Sequence, residues 1–93
     1  MNIYLINEYV NRLKVSDITY YAEKQGITLD KDEAKLIYDY IKNDYRTIIY
    51  GNPKDILNEI KFKVKPLTYN KIENLYILFK DKIDMFTKNI REG

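Results

Sequence analysis

The chain has no cysteine, no histidine and no tryptophan. Without cysteine there is no disulfide, no thiol nucleophile and no thiolate metal site, which fits a reducing compartment. Without histidine a Ser–His or Cys–His device cannot be built within one chain. Only three glycines occur, at 26, 51 and 93, too far apart for a phosphate-cradling loop or a dinucleotide fingerprint. No apolar run approaches the ~18 residues of a membrane span. The opening "MNIYLINEYVNRLK" lacks a basic start and is broken by Asn and Glu, so it does not read as a signal peptide. These absences set the expectation of a cytoplasmic protein with no membrane partner, no metal and no cofactor.

What is present is ordinary for a globular domain. The 93 residues are 45% hydrophobic and 32% charged, with a net charge of +2. One domain spanning 1–93 is expected, with a tail that loosens after about Asn89. Residues 1–53 carry seven basic and eight acidic side chains, residues 54–93 nine and six. The basic excess is C-terminal but slight. Ten tyrosines stand out. Ile, Lys, Tyr and Asn fill half the chain, and all four have A/T-rich codons. A biased genome explains them more simply than a tyrosine-lined binding face.

Apolar residues recur at helical spacing throughout. The stripes are Ile3, Ile6, Val10 and Leu13; Ile18, Tyr21 and Ala22; Ala34, Ile37, Tyr38, Ile41 and Tyr45; Ile56, Ile60 and Val64. The last and strongest runs through Ile72, Leu75, Tyr76, Phe79, Ile83, Phe86 and Ile90. The expected fold is all-α, four to five short helices packed around a long C-terminal one. Residues 47–50, "TIIY", are β-branched or aromatic. They read as the frayed end of the third helix leading into a buried connector, because a lone strand is unstable.

Helix ends are marked by residues with a reason to be there. Gly26 stands where a left-handed cap is wanted. Ser16 reads as the cap of the second helix, with Val15 and Tyr20 as its staple. Asn52 reads as a cap with Pro53 at the first helical position. Thr68 reads as a cap stapled by Leu67 and Ile72. The acidic cluster Asp30, Asp32 and Glu33 fits an N-terminal capping box, with Leu29 and Ala34 as staple. A calcium loop starting at Asp30 would need Gly and Glu where Lys35 and Ile41 stand.

Two surfaces invite a functional reading. The apolar arc of the last helix is wider than a surface helix needs. Ile77, Leu78 and Met85 lie at or beyond its edge, so they are candidates for contact with a protein partner or with a second copy in a homodimer. The segment "KFKVKPLTYNK" carries Lys61, Lys63, Lys65 and Lys71, interleaved with Phe62 and Tyr69. It is the candidate for an alternative, a nucleic-acid accessory role. The stretch "ITYYAEKQGITLDKDEAKLI" loosely resembles a helix-turn-helix, but its recognition helix would present acids to phosphates. No catalytic constellation emerges, since the carboxylates fall mostly on polar helix faces, and an enzyme is not expected.

Three segments carry a family resemblance: "LKVSDITYYAEKQGITLDKDEAKLI", "NPKDILNEI" and "LTYNKIENLYILFKDKI". A capped helix ending in a Tyr-Ala pair and a Gly-Ile step precedes a Glu-Ala helix start. A final helix with a Leu-Phe pair, here Leu78-Phe79, follows. In this order the chain is similar, over about residues 10–86, to the YqfT-like small proteins of Firmicutes, a family of unknown function. The resemblance implies a bacterial cytosolic protein and supplies neither catalytic residues nor a substrate. The expected function is a non-enzymatic adaptor or interaction module.

Overall fold

The computed structural model describes the backbone of residues 3–92 and the side chains of residues 7–81. The side chains of Ile3, Ile6, Ile83, Met85, Phe86 and Ile90 therefore lie outside the described residues. Five helices follow one another: α1 (Ile3–Arg12), α2 (Val15–Lys24), α3 (Lys31–Tyr50), α4 (Lys54–Lys63) and α5 (Pro66–Glu92). The described residues contain no strand, and the protein is a single small all-α domain with a long C-terminal helix. α3 packs on α1, α2 and α5, whereas α4 packs on α5.

The α2–α3 corner follows from its sequence. Gly26 adopts φ +79, which costs glycine no Cβ clash. Its N–H donates to the Glu23 carbonyl at 2.9 Å, and the Ile27 N–H donates to the Ala22 carbonyl at 2.8 Å. This is a Schellman ending, which satisfies two orphan carbonyls. Four residues on, the Glu33 N–H donates to Asp30 Oδ1 at 2.8 Å, while the Asp30 N–H donates to Glu33 Oε1 at 3.0 Å. The capping box is formed in both directions, and Leu29 and Ala34 are both buried beside it. Ala22 and Ala34, each with no exposed surface, let α2 and α3 approach closely. Around them Leu13, Ile18, Leu29 and Leu75 close the main core.

Other helix starts differ from the sequence reading. α2 begins at Val15, so Ser16 is inside the first turn; the Lys14 N–H instead donates to the carboxylate of Asp17 at 2.9 Å. A carboxylate at the third helical position reaches back to the cap N–H and makes a serine cap unnecessary. α4 starts one residue later than read, with Pro53 at the cap and Asn52 Oδ1 accepting from the Lys54 N–H at 3.0 Å. α5 starts at Pro66, so Thr68 is not a cap and Leu67 is exposed rather than stapled. Proline at the first helical position loses nothing, because its missing N–H would have had no partner.

Residues 47–50 are helical. α3 bends at Asp44, where the backbone leaves helical geometry (φ −128, ψ 19), and continues to Tyr50. Beyond the bend, Ile49 is buried. α3 also closes the end of α1: Lys42 Nζ donates to the carbonyls of Val10 (2.9 Å) and Asn11 (3.3 Å), and the Tyr45 hydroxyl donates to Asn7 at 2.6 Å. Lysine at a helix C-terminus serves both the free carbonyls and the dipole. α5 runs to Glu92.

Candidate functional site

Glu33 does more than cap α3. It is only 7% exposed, the one charged residue among the buried ones described. The Thr68 hydroxyl donates to its Oε2 at 2.7 Å, and Lys71 Nζ lies 3.1 Å from Oε1 and 3.4 Å from Oε2. Thr68 and Lys71 are three apart on α5 and so share a face. Burial pushes the carboxyl upward, but the bonds from the Asp30 N–H, Thr68 and Lys71 outweigh it and hold Glu33 below its ordinary value of 4.5. The group is an ionised carboxylate that accepts from three donors, the Asp30 N–H, Thr68 and Lys71. It ties the start of α3 to the first turns of α5. The sequence reading of Thr68 as a cap and Lys71 as a nucleic-acid contact missed this knot. The available signal was the shared face of Thr68 and Lys71, together with a capping Glu directly before the buried-face Ala34.

An open recess of about 410 Å³ lies beside the knot, between the loop 26–30 and Lys71. A second, of about 740 Å³, runs along α2 and the start of α3, with Tyr20, Glu23, Lys31, Asp32 and Lys35 at its edge. Its charges are mixed, so neither an anion nor a cation is favoured there. In the segment that resembles a helix-turn-helix, Glu33 turns inward, while Asp30 and Asp32 stay exposed.

The four lysines of the basic segment do not act together. Lys71 belongs to the knot. Lys63 pairs with Glu59 at 2.9 Å and donates to the Tyr40 hydroxyl at 3.1 Å, which raises its pKa to about 12. Lys61 lies 5.8 Å from the centre of the Tyr69 ring. Lys65 is exposed and has no ion pair among the described residues. Phe62 and Leu67, on either side of the α4–α5 bend, are 91% and 71% exposed.

The candidate interface residues also separate. At 100° per residue, Thr68, Ile72, Leu75 and Phe79 define the inward direction of α5. Leu78 points about 90° away from it and Ile77 about 170°. They are 39% and 49% exposed. Leu78 therefore flanks the core, while Ile77 is on the far side of the helix. Met85 lies outside the described side chains. Comparison of the chain with protein-family models, curated proteins and solved structures finds no match. The resemblance to the YqfT-like proteins thus rests on the quoted motifs alone.

Proposed function

We propose that the protein is a non-enzymatic interaction module of the bacterial cytoplasm, an adaptor that holds a protein partner or a second copy of itself along the outward side of α5. One observation carries the reading. α5 is fixed to α3 by a buried ionic knot, yet it keeps Ile77 and Leu78 open to solvent. A rigid helix with apolar side chains turned outward is a docking element whose ordering cost is already met within the fold. The chemistry at the knot supports the same view. A carboxylate that accepts from three groups and sits below its ordinary pKa is a poor proton acceptor.

The test replaces Ile77 and Leu78 by lysine, singly and together. Sedimentation equilibrium reads self-association, and capture with the tagged chain reads partner binding. The proposal expects loss of association with an unchanged far-UV spectrum. Unchanged oligomeric state and unchanged capture would remove it. The nucleic-acid alternative, through Lys61, Lys63, Lys65 and Lys71, predicts binding that weakens steeply with salt. It is less supported, because Lys63 and Lys71 already hold carboxylates.

A further inference from the structure

We propose a second binding surface, distinct from the flank of α5: the α4–α5 corner is a docking tip for an anionic lipid bilayer, with Phe62 and Leu67 entering the headgroup boundary and Lys61 and Lys65 meeting the lipid charge. Residues 61–71 contain four lysines and no acid. Phe62 precedes the bend and stands almost clear of the protein, and Leu67 follows it and is largely exposed. A phenylalanine with nine-tenths of its surface open sits on a convex point and not in a groove. Convexity and charge select the occupant. A second copy would bring the same basic corner against itself. An acidic protein would have to provide a pocket shaped for Phe62. A bilayer needs no such pocket, because its interface yields to any apolar tip and anionic headgroups accept the flanking cations. Docking of this kind requires no membrane span.

The cations divide in the way the proposal needs. Lys63 and Lys71 are engaged by Glu59 and Glu33, while Lys61 and Lys65 form no ion pair among the described residues. Glu59 is the nearest acid in sequence to the bend, and Lys63 neutralises it. A nucleic-acid strand finds less here. Tyr69 lies under Lys61 and donates its hydroxyl to Glu73 at 3.1 Å, and Leu67 offers no ring for stacking. The tip is small, so binding is reversible and depends on anionic lipid.

The experiment is co-sedimentation of the full chain with phosphatidylcholine vesicles, with and without phosphatidylserine, at low and high salt. Binding is expected with phosphatidylserine, to be absent from phosphatidylcholine alone, and to weaken with salt. Phe62→Ser with Leu67→Ser should lower affinity about tenfold or more. Lys65→Glu should lower it more than about fivefold. Tyr9→Ser, at an exposed aromatic on α1, should change nothing. Because both tip side chains are open, circular dichroism of the double variant should match the parent. No binding to phosphatidylserine vesicles at low salt would overturn the proposal. So would binding that ignores the loss of Phe62 and Leu67, since that reports net charge alone. A single-stranded oligonucleotide bound more tightly than the vesicles, and lost on the same substitutions, would overturn it in favour of nucleic acid. The Ile77 and Leu78 variants leave this surface intact, so the two readings fail independently.

Discussion

The two corners of the molecule, α2–α3 and α4–α5, are built on opposite terms. At the α2–α3 corner nearly every local device is used: a left-handed glycine, a two-way capping box, a pair of buried alanines and a buried carboxylate bonded to the opposite helix. At the α4–α5 corner the only buried side chain of α4 is Ile60, and Phe62 and Leu67 on either side of the bend face water. The main core draws on α2, α3, α5 and the segments that join α1 to α2 and α2 to α3, and takes nothing from α4. The first corner defines the fold. The second is carried by it, and is free to hold a surface that packing did not choose. Low local packing is also where opening free energies are smallest.

The largest expected effect is at the knot. Glu33→Ala removes the acceptor of Thr68, Lys71 and the Asp30 N–H together, and should cost about 3 kcal/mol in urea denaturation. A loss under about 1 kcal/mol would mean that the knot follows the fold without holding it. Next comes Ile60→Ala, at about 2 kcal/mol, the lower end for a buried isoleucine. The comparison makes a sharper claim about where that loss appears. Amide exchange should quicken in α4 while the α2–α3 amides keep their protection. Uniform quickening would place α4 in the same cooperative unit as the rest.

A third effect is on pH dependence. Because the folded Glu33 sits below its ordinary 4.5, the contribution of the knot is complete above that value and fades as pH falls through the folded pKa. Lys71→Met removes two of the influences that lower it, so the acid limb of the stability curve should move to higher pH, with a loss of about 1–2 kcal/mol at neutrality. An unmoved acid limb would show that the Asp30 and Thr68 bonds alone set the pKa. The smallest effect is Gly26→Ala. A Cβ there meets no atom within 4 Å, so only the backbone cost of φ +79 remains, about 1 kcal/mol by thermal denaturation.

Much of the fold was legible in the sequence because helices are local. Gly26, Asp30 and Glu33 act on backbone groups a few residues away, and their spacing shows it. Where two local solutions compete, the reading slipped by a residue or two: Ser16 against Asp17, Asn52 against Pro53, Thr68 against Pro66. Each pair offers the same orphan donors a different remedy, and the sequence does not rank them. Residues 47–50 suit an extended backbone and a lone strand is unstable, so the sequence points to a frayed end; in the structure they stay helical and Ile49 is buried.

By itself, then, the sequence determined one all-α domain of short helices with a long C-terminal one, the glycine ending of α2, the capping box of α3, and the exclusion of thiol and imidazole chemistry. Only the tertiary structure decided that Glu33 meets Thr68 and Lys71, 35 and 38 residues away. It alone decided that Lys63 reaches the Tyr40 hydroxyl, 23 residues away on α3, and that Phe62 and Leu67 face solvent. The physical reason is range. Capping and periodicity are satisfied within a turn or two of the chain, whereas burial and ion pairing depend on which helix face another helix covers.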